Sequence, residues 1–130
     1  MERLPALLLI EDDEDLRVAL RRYLLREGYA VEIASSGDEA VEALRGGGCY
    51  DGIITDLHVP GLHDTAIIGA LRALAPRVPI IVVTGALDPA REKKLMNDGA
   101  FRCFEKPVDI PVLLDAIRDA TIESAKWRVA

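Results

Sequence analysis

Residues Gly52–Gly61 read GIITDLHVPG, and the meaning given to one of them, Asp56, decides how the rest of the chain is read. Gly52-Ile53-Ile54-Thr55 has the residue types of a buried strand and Pro60-Gly61 is a turn signal, so the carboxylate between them should stand where the strand leaves the core. An acid at such a mouth carries little meaning alone, because Asp is also a common turn former and helix cap. What the neighbouring strands deliver beside it settles the matter.

Four more strand-like runs surround this one: Ala6–Ile10, Ala30–Ala34, Ile80–Thr84 and Phe101–Glu105, each followed by a helix-like segment. The first helix places Leu16, Leu20, Tyr23 and Leu24 on one face, with Gly28 suited to its C-cap. The second opens on a capping box, Ser36 and Glu39, and the third on the N-cap candidate Asp64, with Ile67, Ile68, Leu71 and Leu74 turned inward. Asp88-Pro89 starts the fourth; Asp109 caps the fifth, whose stripe is Leu113, Ala116, Ile117 and Ala120. Strands alternating with helices of this length imply parallel strands joined by crossovers, an α/β sheet covered on both faces.

The chain has 130 residues, half of them hydrophobic, which suits one domain with a sizeable core and argues against a disordered tail protein. Sixteen basic residues against twenty-two acidic ones leave a formal charge of −6, which works against unaided binding to nucleic acid or an anionic membrane. Apolar runs such as Leu7–Ile10 and Ile80–Val83 fall far short of the ~20 residues that span a bilayer. Cys49 and Cys103 show no CxxC or Cys/His metal spacing, and the N-terminus lacks the regions of a signal peptide. The expectation is a cytoplasmic protein with reduced thiols.

In an open parallel sheet, ligand chemistry collects at the carboxyl ends of the strands. There the first strand delivers Glu11, Asp12 and Asp13, the third Asp56, the fourth Thr84-Gly85 and the fifth Lys106-Pro107. Clustered carboxylates repel unless a cation is present, and a few oxygens with room for water and phosphate suit Mg²⁺. Thr84 can donate to a phosphoryl oxygen and Lys106 offers a compact positive charge. Together they describe a pocket for phosphoryl transfer with a carboxylate nucleophile.

With LLLIEDDEDL, IITDLHVPG, IIVVTG and KP in this order and spacing, essentially the whole chain resembles the receiver domain of two-component response regulators. The resemblance implies a doubly wound, flavodoxin-like sheet of five parallel strands in the order 2-1-3-4-5 with five helices, a receiver domain over residues 1–122, and residues 123–130 as a C-terminal tail or the start of a linker. It implies Asp56 as phosphoacceptor and as a Mg²⁺ ligand, Asp12 as a direct Mg²⁺ ligand, Glu11 as a ligand through water, and the His58 backbone carbonyl as a further ligand. Thr84 and Lys106 would hold the phosphoryl group. The implied donor is a histidine kinase or histidine phosphotransfer protein, and the output is a partner or effector domain.

Other features read more plainly. Gly46-Gly47-Gly48 precedes the third strand, on the edge opposite the acids, and reads as a connection rather than a phosphate cradle. His58 and His63 lack a partner at metal-site spacing and read as exposed loop residues, Cys49 as an inert thiol, and Trp127 as a tail residue packed on its own domain. Three residues before Lys106, where most receivers carry Tyr or Phe, stands Cys103; Phe104 should point to the opposite face. Arg102 stands where a winged-helix subfamily has Asp in its dimer contacts.

Two other functions compete. An aspartyl-phosphate phosphohydrolase would place a second Asp two residues after the nucleophile, where this chain has His58. A receiver-like interaction module that no longer takes phosphate would not need the full set Glu11, Asp12, Asp56, Thr84 and Lys106. No turnover of an external substrate is expected beyond the domain's own phosphorylation and slow dephosphorylation.

Overall fold

The computed structural model describes residues 4–63 and 65–129, so Asp64, the expected cap of the third helix, lies outside the described residues. In chain order the elements are β1 (Ala6–Ile10), α1 (Glu14–Arg26), β2 (Ala30–Ala34), α2 (Gly37–Arg45), β3 (Gly52–Thr55), β4 (His58–Val59), β5 (Leu62–His63), α3 (Thr65–Leu74), β6 (Ile80–Thr84), α4 (Pro89–Asn97), β7 (Arg102–Glu105) and α5 (Ile110–Val129). The main sheet is parallel in the order β2-β1-β3-β6-β7, which for its five strands is the expected 2-1-3-4-5. Not foreseen was the antiparallel hairpin β4-β5 around Pro60-Gly61. Gly61 takes φ +96°, the conformation a turn with Pro before Gly requires.

Side-chain alternation splits the core between the two faces of the sheet. Leu8, Ile10, Ile53 and Val82 pack with Ile67, Ile68 and Leu71 of α3 and Leu95 of α4 on one face. Leu7, Leu9, Ile54, Ile81 and Val83 pack with Leu20 and Leu24 of α1 and Leu113, Ala116, Ile117 and Ala120 of α5 on the other. The central strands read as continuous apolar runs because they are covered on both sides. Within α1 the buried residues are Leu20 and Leu24, with Leu16 half-buried against them; Tyr23, expected on this face, is 42% exposed. A 3.6-residue turn carries position 23 off a stripe set by steps of four.

The helix starts follow their capping residues. Asp13 accepts from the Leu16 amide, Ser36 from the Glu39 amide and Asp88 from the Arg91 amide, with Pro89 in the first helical turn. The box at Ser36 is completed differently from expectation: the Glu39 carboxylate reaches Ser35, accepting from its hydroxyl at 2.7 Å. The helix α5 passes residue 122 without a break, and Trp127 lies within it. No described helix is long and apolar enough to cross a membrane.

Strand register brings the charged residues level. Ile10 pairs with Thr55, so Glu11 and Asp56 leave the sheet side by side. Thr84 pairs with Glu105, and the Lys106 amide donates to the Thr84 carbonyl at 2.8 Å, which sets Lys106 next on the same edge.

Candidate functional site

Glu11, Asp12 and Asp56 come together with carboxylate oxygens within 4.8 Å of one another. Asp56 is 7% exposed; its Oδ1 accepts from the Leu57 amide at 2.6 Å and the His58 amide at 3.2 Å, and its Oδ2 accepts from Lys106 Nζ at 2.7 Å. Glu11 is buried, pairs with the same Nζ at 3.0 Å, and accepts from the Asp13 amide at 3.2 Å. Asp12 is exposed at the mouth. One ammonium therefore bridges two carboxylates that strand register forces together.

The titration of this pair follows from burial. Desolvation, the largest influence, pushes the Glu11 carboxyl above its ordinary value, and the Asp56 charge adds to it; Lys106 and the Asp13 amide offset only part. Burial works to lower the Lys106 ammonium, but hydrogen bonds and charge from Asp56 and Glu11 together outweigh it and hold that pKa above the ordinary lysine value.

Thr84 ends β6 fully buried, and its hydroxyl has no hydrogen-bond partner among the described residues. An unmade hydrogen bond of this kind costs about 1–3 kcal/mol, so its retention at the edge that carries Asp56 and Lys106 fits a group that waits for a ligand oxygen. Replacing it by the isosteric Thr84→Val is expected to raise unfolding stability by about 1 kcal/mol in urea denaturation. The same variant should bind a phosphoryl mimic such as beryllofluoride more weakly.

His58 starts the hairpin with an exposed side chain, and the His63 side chain lies outside the described ones. Two contributors escaped the sequence reading. Arg17, one turn into α1, reaches back to donate to the carbonyls of Glu11 at 3.1 Å and Asp12 at 3.4 Å, fastening the acid-bearing loop. Glu105 accepts from the Leu87 amide at 2.9 Å and ties β7 to the loop before α4. The basic residue four positions after the cap Asp13 was the available sign of the first; nothing in the sequence marks the second.

Cys103 faces α4, its Sγ 3.9 Å from Met96 Sδ, while Phe104 packs on the opposite side with the α1/α5 core, as alternation requires. Burial, followed by the Glu92 charge, pushes the Cys103 thiol up to about 11. Iodoacetamide near neutral pH is therefore expected to modify exposed Cys49 first, with Cys103 about a hundredfold slower than an ordinary thiol, as peptide mass mapping over time would show.

This sheet and this edge define a class. The family model for the response regulator receiver domain matches residues 7–118. The chain belongs to that family, the receiver domains of two-component response regulators. It is 34% identical over 121 residues, 92% of its length, to the C4-dicarboxylate transport transcriptional regulatory protein DctD of Rhizobium meliloti, covering 26% of that protein. It is 32% identical over its whole length to the transcriptional regulatory protein GlrR of Escherichia coli, covering 30% of it. The chain thus spans between a quarter and a third of these relatives.

Among solved structures, a CheY-like receiver domain protein from Methanospirillum hungatei superposes with a TM-score of 0.88 at 27% identity, covering 95% of this chain and 98% of that one. The receiver domain of the sensor histidine kinase PA1611 from Pseudomonas aeruginosa, 24% identical with a TM-score of 0.81 and covering 92% of this chain and 98% of that one, shares the fold; that structure has a magnesium ion coordinated in its active site cleft.

Proposed function

We propose that the chain is a phosphorylation-controlled signalling module in which Asp56 accepts a phosphoryl group. One observation carries the reading: Asp56, Glu11, Lys106 and the unpartnered Thr84 hydroxyl stand on one sheet edge, each from a different strand end. In the transfer, an Asp56 oxygen forms the new P–O bond as the P–N bond to the donor's phosphohistidine breaks and the imidazole takes up a proton. Lys106 and Thr84 hold the phosphoryl oxygens by charge and hydrogen bond.

The donor set fits Mg²⁺: hard carboxylate oxygens, a mouth open to water through exposed Asp12, and a hydroxyl and an ammonium placed for phosphate. Bound there, the ion would neutralise charge shared between the carboxylates and the phosphoryl oxygens. Asp12 would serve as a direct ligand beside Asp56, Glu11 would act through water because Lys106 and the Asp13 amide already engage it, and the His58 carbonyl would complete the protein set.

The donor is a histidine kinase or histidine phosphotransfer protein, and the output is an effector domain or partner protein in the cytoplasm. The domain reads no nucleic acid and enters no membrane itself. Residues 1–122 form the receiver unit, and residues 123–130 are its C-terminal tail or the start of a linker. Turnover of an external substrate is disfavoured because His58 stands where a phosphohydrolase needs a second Asp. With Cys103 too small to act as a swinging ring, the switch runs through the Thr84–Leu87 loop that Glu105 ties down.

The test is incubation with acetyl phosphate and Mg²⁺ followed by intact mass measurement. One added phosphoryl group, absent when a chelator is present, is expected; no uptake by the folded chain would overturn the reading. Magnesium titration followed by amide shifts separates the two ligand roles. Asp12→Ala should weaken the metal more than Glu11→Ala, by about tenfold or more for a direct ligand, and equal losses would refute the distinction.

A further inference from the structure

Of the three carboxylates at the candidate metal site, Asp12 is the one whose side chain nothing holds. Asp56 accepts from two amides and Lys106, and Glu11 from Lys106 and the Asp13 amide, whereas the Asp12 carboxylate makes no hydrogen bond or ion pair among the described residues. The loop that carries it is pinned on either side: the Glu11 amide donates to the Ala34 carbonyl at 3.0 Å, and the Asp13 side chain caps α1. At Asp12 itself the hold comes from Arg17.

Arg17 is fixed at its base by the helix. Its amide donates to the Asp13 carbonyl at 2.9 Å, and its half-buried side chain turns back so that Nη1 donates to the carbonyls of both Glu11 and Asp12, at 3.1 Å and 3.4 Å. Five of the six residues before it are acidic, yet among the described residues the guanidinium pairs with no carboxylate. Arginine ordinarily takes such a partner, by a strong charge-assisted bond. Here it gives its donors to two consecutive peptide groups instead, a task that suits a planar fork better than a lysine's flexible point charge.

We infer that Arg17 is a positioning residue of the metal site, which presets the Asp12 backbone and so tilts the site toward Mg²⁺ over Ca²⁺. This role presupposes the Mg²⁺ reading proposed above. Mg²⁺ demands near-ideal octahedral geometry with short bonds, whereas Ca²⁺ accepts longer bonds and irregular shells. A ligand loop held rigid therefore favours the smaller ion, and a loosened one loses Mg²⁺ first. Charge alone works the other way: a guanidinium beside a cation site repels the cation, so removing it should tighten both ions. The two influences differ in sign, which lets one measurement separate them.

Mg²⁺ and Ca²⁺ are titrated separately into the whole chain while the amide shifts of Glu11–Asp13 and Asp56–Leu57 are followed. In Arg17→Gln, which removes grip and charge together, Mg²⁺ should bind about tenfold more weakly and Ca²⁺ only about twofold, the larger loss being the size that groups supporting a metal ligand give. Arg21→Gln removes a like charge one turn further along α1, from an exposed side chain with no hydrogen bond to the loop, and should weaken neither ion. Mg²⁺ affinity in Arg17→Gln equal to or above the parent's, an equal loss for the two ions, or a matching loss in Arg21→Gln would each overturn the role of Arg17 and leave the Mg²⁺ site standing. A parent chain in which Mg²⁺ moves none of these amides would overturn the Mg²⁺ reading and the role of Arg17 with it.

Discussion

An Asp56→Asn chain is expected to take up no phosphoryl group from acetyl phosphate under conditions in which the parent chain takes up one. The substitution keeps shape and most hydrogen bonding. An amide oxygen can still accept from the Leu57 and His58 amides, which hold Oδ1 in the parent at 2.6 Å and 3.2 Å. What it removes is the anionic nucleophile, and a neutral amide does not form a stable P–O bond at neutral pH. Intact mass measurement checks the result, with circular dichroism showing that the variant folds. Labelling of the Asn variant equal to the parent would move the acceptor to another residue and break the assignment of every group around it.

The second large effect is expected at Lys106→Met. The Lys106 side chain is 24% exposed and is the cation shared by Glu11 and Asp56, whose side chains are 3% and 8% exposed. Methionine keeps the apolar stem but leaves two buried carboxylates facing each other, and breaking a buried pair in this way costs several kcal/mol at full burial. With the ammonium partly in water, about 2 kcal/mol of unfolding stability should be lost at neutral pH.

The sign of the pH dependence follows from Glu11, whose folded-state pKa already lies above its ordinary value of 4.5 and would rise further without the lysine. A carboxyl raised on folding stabilises the fold fully below its unfolded pKa and loses that contribution as pH rises through the folded one. The deficit of Lys106→Met should therefore shrink as the pH is lowered from neutrality toward the unfolded glutamate pKa. Urea titrations at two pH values test it; a deficit that grew on acidification would mean that the lysine acts by packing rather than by charge.

What could be read from the chain depended on how local each cause was. Ile80–Thr84 and Gly52–Thr55 announced themselves because strands covered on both faces must be apolar throughout, and Asp88-Pro89 marked a helix start through the backbone preferences of two adjacent residues. The acids, Thr84 and Lys106 were legible because each directly follows or ends such a strand. Tyr23 was misplaced because a stripe read in steps of three and four tolerates a residue on its flank, whereas packing does not. Glu105 and the Leu87 amide are brought together by the β6–β7 register across eighteen positions. No local pattern encodes such a contact. The unbroken run of α5 to Val129 was hidden for the opposite reason: among the described side chains past Ala120 only Ser124 is buried, too few to show a stripe.

The Lys106 to Asp56 contact spans fifty residues, and it has a consequence for the order of folding. The acids come from β1 and β3 in the first half of the chain, whereas the hydroxyl and the ammonium arrive on β6 and β7 in the second. A chain emerging from the ribosome presents its carboxylates first, with no cation to relieve their repulsion, and contacts of long sequence separation are the slow ones to form. Under the proposed role of Asp56, phosphoryl-accepting competence would therefore be withheld from nascent and half-folded species. On that proposal, a donor that met such a chain would find an acid cluster but no grip for its cargo, and only molecules that have completed the far side of the sheet would enter the signalling pool.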